Sequence, residues 1–254
     1  MIDNPRLIVT SIVRKAGQER ASGYVRVIDF ESKRILMKSA APESVFRSKD
    51  MNARGGLRGA RGISVYEDRL VIANSEQLFI YDSNWKLAGE ITHPLVAGIH
   101  DILAEEDGIW ITCTTADLLL KVDWAGRAIA DWEWRHDKNL TAEFGLRNLS
   151  GINRNLDYRN PETHRDGLFD TIHLNAVNRS PEGILLSFGR VLSPTEYRKA
   201  RIGRVLGKIA KSLGIKRRTT VGAKQRVKAS MPSNKVNSSS SCCEKTTAPK
   251  FLSE

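Results

Sequence analysis

Apolar residues in this chain fall in short runs rich in Val, Ile, Leu, Trp and Tyr, broken by Asp, Asn, Glu and Gly. Runs of that length and composition predict strands, and the breaks predict turns. The runs also recur as a set. Ile63-Ser64-Val65, Leu70-Val71-Ile72-Ala73 and Leu78-Phe79-Ile80-Tyr81-Asp82 are followed by Ile99-His100-Asp101-Ile102, Ile109-Trp110-Ile111-Thr112 and Leu120-Lys121-Val122-Asp123. A third set runs from Thr171-Ile172-His173-Leu174-Asn175 through Ile184-Leu185-Leu186-Ser187. Asp68 to Asp107 is 39 residues and Asp82 to Asp123 is 41, close to the roughly 40–50 residues of one four-stranded propeller blade. Ile99 to Ile172 is 73 residues, either two periods or one period with an insertion.

The punctuation repeats as well. Asp107-Gly108 is a strong hairpin signal, because glycine accepts positive φ without steric cost. Tyr81-Asp82 and Val122-Asp123 each close a strand before a turn, and Leu87-Ala88-Gly89-Glu90-Ile91 and Ala128-Ile129-Ala130-Asp131-Trp132 read as the outer strands that follow. An earlier, imperfect copy lies in Leu7-Ile8-Val9-Thr10-Ser11 and in Tyr24-Val25-Arg26-Val27-Ile28-Asp29, which again ends on aspartate. The expected fold is all-β. It is an incomplete or short β-propeller of four-stranded blades at about 7–37, 62–92, 98–134 and 171–190, with a plain β-meander as the alternative. Closed propellers have about four to eight blades. No fifth unit follows, so the expectation is a short open array or a piece of a longer protein.

Composition changes this picture in one respect. The net charge is +11, but residues 191–254 hold 15 Lys and Arg against 3 Asp and Glu, whereas residues 1–190 hold 25 against 26. The repeat region is neutral and the excess belongs to the tail. There, Ile202, Val205, Leu206, Ile209 and Leu213 recur at helical spacing behind Ser193-Pro194, which predicts a basic amphipathic helix over 194–213. Residues 214–254, with Ser238-Ser239-Ser240-Ser241, lack the apolar content to repay ordering and are expected to be disordered. Such a tail can touch anionic membrane or nucleic acid, or the helix can dock on the repeats with its basic face in water. Met1-Ile2-Asp3-Asn4-Pro5-Arg6 has no apolar leader and no membrane span is visible, so a cytoplasmic location is expected. Cys113 falls in a predicted strand as a small buried hydrophobe, and adjacent Cys242 and Cys243 have no second ligand pair, so no metal or cofactor is expected.

The candidate chemistry lies where two repeats carry histidine. His100 and His173 follow Ile99 and Ile172, which assigns them to the same place in successive blades, near the mouth of a central channel. Asp101 follows the first. Asn175 stands two residues after the second and shares its strand face. Arg61 precedes the matching strand of the earlier repeat. Imidazole can act as nucleophile or acid–base, and guanidinium can grip sulfate or phosphate oxygens. His100 and His173 are therefore candidate catalytic residues and Arg61, Asp101 and Asn175 candidate ligand-binding residues. A structural role, tying blades together, is the plainer reading of the histidines. The stretch Gly55-Gly56-Leu57-Arg58-Gly59-Ala60-Arg61-Gly62 reads as a flexible lead-in loop, or as an anion-binding lip made by Arg54, Arg58 and Arg61.

The runs at 98–102, 107–112, 120–126 and 172–177 resemble blades of arylsulfotransferase-type propellers, and the Asp-Gly hairpins are shared with NHL-like repeats. The resemblance covers about 60–190. It implies a propeller whose channel histidines and arginine move a sulfuryl group between phenols, with His100, His173 and Arg61 at the matching positions. Three functions follow as expectations: a propeller-type binding or scaffold protein for a small anionic ligand or a protein partner, a sulfuryl-transfer enzyme, or contact with anionic surfaces through the tail.

Overall fold

The computed structural model describes residues 5–14, 16, 20–49, 59–143, 151–163 and 171–189. The basic helix predicted over 194–213, the tail, Arg54, Arg58, Cys242 and Cys243 lie outside them. The described chain is all-β with one short helix, arranged as consecutive antiparallel meanders in a short propeller array.

Two meanders are complete. β4 (Ile63–Tyr66), β5 (Arg69–Ala73), β6 (Gln77–Tyr81) and β7 (Leu87–Thr92) pair in chain order, as do β8 (Ile99–Glu105), β9 (Gly108–Cys113), β10 (Leu118–Val122) and β11 (Ala128–Glu133). The other two depart from the four-stranded expectation among the described residues. The first has three strands, β1 (Arg6–Ile12), β2 (Gly23–Asp29) and β3 (Ile35–Ala40). The last has two, β12 (Leu174–Ser180) and β13 (Gly183–Phe188). A short helix, α1 (Lys138–Glu143), falls where sequence gives no periodic signal.

The turns follow from single residues. Gly108 and Gly183 sit at φ 148° and 136°. A Cβ on Gly108 would come within 2.1 Å of the Val122 carbonyl oxygen, so no larger residue fits between β9 and β10 there. Asp82 and Asp123 each accept two backbone N–H bonds, from Asn84 and Lys86 and from Ala125 and Arg127, at 2.9 Å. These Asx turns swing the chain from the third to the fourth strand of each sheet. Asp29 does the same in the first sheet through Ser32 at 2.7 Å.

Burial explains why the sheets stack. Along β5, Leu70 and Ile72 pack toward the first sheet, while Val71 and Ala73 join the core shared with β8 and β9. Along β10, Leu118, Leu120 and Val122 belong to that second core, whereas Leu119 joins Leu174, Val177 and Leu186 of the last sheet. The middle strands are thus apolar on both faces, each buried large side chain contributing about 1.5–3 kcal/mol. Trp132 and Trp134 pack against the last sheet; Trp134 lies just beyond β11, in a single 3₁₀ turn, and is fully buried. At the end of the β8–β9 and β12–β13 hairpins, Arg179 reaches across to Glu105, and buried Lys121 bonds Glu105 at 3.2 Å and Asp107 at 2.5 Å. The Lys121 bond holds the Asp107 carboxyl below its ordinary range.

Cys113 sits in the second core with no exposed surface, and burial pushes its thiol up to about 12. Thiolate is the reactive form, so iodoacetamide at mildly alkaline pH should leave Cys113 unmodified in the folded protein and label it on addition of denaturant. Peptide mass mapping reads the difference, and rapid labelling without denaturant would contradict the packing.

Candidate functional site

The hairpin register sets which residues correspond between sheets. β9 and β13 both open on glycine, and Glu105 faces Gly108 as Ser180 faces Gly183. Counting back along β8 and β12, Ile102 corresponds to Val177 and His100 to Asn175, an offset of 75 rather than 73. In the second sheet the same position is Arg61, whose N–H bonds to the Ala73 carbonyl at 2.8 Å while Ala73 N–H bonds to Gly62 O at 2.9 Å. His173 corresponds instead to Gly59 and Gly98. All three are left-handed, at φ 57°, 69° and 64°. The expected equivalence of His100 and His173 is therefore corrected. The matched Ile-His pairs mislead because they match by residue type and not by place: His100 lies within β8, at its bulge, whereas His173 lies just before β12.

Those bulges aim the side chains. In β8, His100 and Asp101 both stand opposite Thr112, and in β12 Asn175 is the extra residue before Ala176. A bulge bends the strand and redirects a side chain at the cost of ladder bonds. Thr112 Oγ1 makes good that loss, accepting from the N–H of Asp101 at 2.8 Å and of His100 at 3.3 Å. The redirected groups meet. His100 Nδ1 lies 2.9 Å from Asn175 Oδ1. The His100 and His173 rings stand edge to face with centroids 4.7 Å apart. Arg61 Nη1 donates to Ile99 O at 3.3 Å, beside His100. Four of the five candidate residues converge at this end of the inner strands, half-buried.

Asp101 does not join them. Its carboxylate turns along the blade interface and accepts from the N–H of Ile102 at 3.0 Å and of Val177 at 3.1 Å, tying β8 to β12. Burial raises its carboxyl above the ordinary 3.8, and the two N–H bonds oppose the rise.

The residue that holds the site together was not legible from its surroundings in sequence. Asp117, fully buried in the turn before β10, accepts backbone N–H bonds from Thr171, Ile172, His173 and Leu174, at 2.9 Å to Ile172 and 3.0 Å to His173. Arg135 Nη2 lies 3.6 Å from it, and Arg135 Nη1 donates to Ala116 O at 3.1 Å. This cradle sets the left-handed turn at His173. Gly189 completes it, since a Cβ there would fall 2.6 Å from His173 Cδ2. The available signal was positional: Ser22 and Glu76 also directly precede third strands, and Ser22 Oγ likewise accepts the N–H of Gly59, at 3.0 Å.

The described residues hold no group of three His, Cys, Asp or Glu side chains able to bind a metal ion, and no helix long and apolar enough to cross a membrane. Neither protein-family models nor curated proteins match the chain. Among solved structures it is similar to Saccharomyces cerevisiae Sqt1, with 16% identity over 42% of this chain and 28% of that one, TM-score 0.34. It is similar to the Neurospora crassa Pan2 WD40 domain, with 7% identity over 74% and 41%, TM-score 0.42. Myxococcus xanthus glutaminyl cyclase matches with 13% identity over 73% and 70%, TM-score 0.39. The chain spans less than half the length of the first two. Likeness at this level goes no further than general architecture.

Two outcomes follow. Asp117→Ala strands four buried backbone N–H groups and removes one of the two carboxylates beside Arg135, Glu133 at 3.6 Å being the other, so it should lower stability by about 3–5 kcal/mol, read as a drop in the urea midpoint, with Asp117→Asn intermediate. For Asp101 the sign is opposite to that of a salt-bridged carboxylate. Its folded pKa is raised, so its contribution to stability falls as pH climbs from the unfolded value through the folded one. The stability of Asp101→Asn relative to the parent should therefore rise across that window, measured by urea midpoints at acidic and neutral pH.

Proposed function

We propose that this protein is a non-catalytic binding module whose ligand is a small oxyanion held at the converging ends of the inner strands. One observation carries the reading: by hairpin register Arg61, just before β4, corresponds to His100 and Asn175 at the bulges of β8 and β12, and His173 abuts the second of them. Guanidinium, imidazole and amide donors fit sulfate or phosphate oxygens. The surrounding ties are structural, so the donors are held in place before a ligand arrives.

Titrating inorganic sulfate while recording the imidazole resonances tests this. Saturable shifts of His100 and His173 are expected. Arg61→Ala and His100→Ala should each weaken binding by roughly tenfold, the worth of one charge-assisted contact. Shifts no larger than those given by chloride at equal ionic strength would overturn the reading.

The contact between the two imidazoles favours a second reading, sulfuryl transfer. In the neutral His100 ring the Asn175 oxygen keeps the proton on Nδ1 and leaves the lone pair on Nε2, whereas the protonated ring that would hold an oxyanion donates from both nitrogens. In that reading Nε2 attacks the sulfur of an aryl sulfate, breaking the S–O bond to release phenolate; the oxygen of a second phenol then attacks the sulfur, breaking the N–S bond, and its proton passes to the released phenolate or to water. Turnover of 4-nitrophenyl sulfate with a phenol acceptor, lost in His100→Ala, would replace the binding reading with this one. An absence of turnover in the parent protein counts against it.

A further inference from the structure

The first sheet differs from the complete ones in what borders β1. Ser22, Glu76 and Asp117 directly precede β2, β6 and β10, and Asp29, Asp82 and Asp123 close or directly follow the same three strands with matching turns. So β2 is a third strand, β3 a fourth, and β1 a second, the counterpart of β5 and β9. On the edge where β5 receives β4 and β9 receives β8, β1 has no strand neighbour among the described residues. Exposure reports the difference. β9 is buried throughout and β5 at all but its first residue, whereas in β1 Leu7 is 44%, Val9 36% and Ile12 40% exposed. A seven-residue strand with apolar side chains, one terminal charge and an open edge is a template for strand addition.

The sheet also states what would fit. Leu7 faces Ile28, Val9 faces Arg26, and Arg26 faces Lys38, which places these residues on the face turned away from the second sheet. Arg26 and Lys38 lie 5.0 and 4.4 Å from the Tyr24 ring centroid, and neither meets a carboxylate among the described residues. Ile8, Thr10 and Ile12 line the other face. The described residues from 5 to 49 hold nine Lys and Arg against three Asp and Glu. A second copy of β1 would bring two such cationic sheets together. A strand alternating carboxylate and apolar residues would instead set its carboxylates toward the side of the sheet bearing Arg26, about 10 Å away across β1, and Lys38, about 14 Å away across β1 and β2, and its apolar residues beside Ile8 and Ile12.

We propose that the open edge of β1, with the face bearing Leu7, Val9, Arg26 and Lys38, is the docking site for an extended acidic segment of a partner protein, which adds as the innermost strand of the first sheet. Main-chain bonds along β1 supply affinity, and the alternating faces supply selectivity.

Hydrogen exchange of the full chain with a synthetic peptide of about nine residues, a common strand length, alternating glutamate and valine tests this. Exchange of the 6–12 amides should slow on adding the peptide. The double variant Arg26→Glu, Lys38→Glu should weaken binding by roughly tenfold or more, and added salt should weaken it too. A peptide N-methylated along its bonding edge should not bind; because it changes no residue of the protein, this arm is independent of folding. The proposal is overturned if the N-methylated peptide binds equally, if a lysine–valine peptide binds as well, or if light scattering shows a dimer whose 6–12 amides are already protected without peptide.

Discussion

A single buried carboxylate sets the geometry on which the rest of this molecule depends. Asp117 has left water completely, and an ionised group can do so only if its charge is met by hydrogen bonds and an opposite charge. Four consecutive backbone N–H groups at 171–174 and the Arg135 guanidinium do this. The arrangement serves both partners. The chain arriving at β12 has N–H groups with no ladder partner, and the carboxylate satisfies them together. In doing so it fixes the left-handed turn at His173 and the register in which Asn175 meets His100.

The bulges work within that frame. A regular strand would leave His100 following the alternation of its neighbours, and the ladder to β9 would be unbroken. Placing two residues opposite Thr112 breaks it, and the threonine hydroxyl takes up the N–H groups so released. Asp101, the second residue of the bulge, spends its carboxylate on the backbone of β12. One bulge thus does two jobs, presenting an imidazole to Asn175 and His173 and locking the neighbouring sheet. The cost is a desolvated carboxyl whose pKa is driven up.

The sheets are held at both ends by different means. Near the site the ties are backbone groups to Asp117, Asp101 and Thr114, whose hydroxyl donates to Leu174 O. At the end of the β8–β9 and β12–β13 hairpins the tie is an ion pair, Arg179 with Glu105, and Lys121 holds Glu105 from within its own sheet. Between them lies the apolar layer of Leu119, Leu174 and Leu186. The polar ties fix register and the apolar layer supplies most of the attraction, since burial is non-directional and hydrogen bonds are not.

The sequence by itself determined the repeating meander, the aspartate turns and the outer strands, because each rests on local rules: alternation, β-branched runs, and glycine or aspartate where the backbone must turn. It also singled out Arg61, His100, His173 and Asn175, since their residue types are unusual against an apolar background. It could not align them. Ile-His matched Ile-His by residue type alone, and only the ladder register counted from the Gly108 and Gly183 hairpins shows that His173 stands two residues before the place of His100. Nor could it find Asp117, which reads as an ordinary turn residue until the chain 54 residues later folds onto it. It treated the first repeat as an imperfect copy, whereas only the sheet order shows that β1 is a second strand with no first beside it among the described residues. These features were decided by the tertiary structure, because each depends on which backbone groups distant segments leave unpaired.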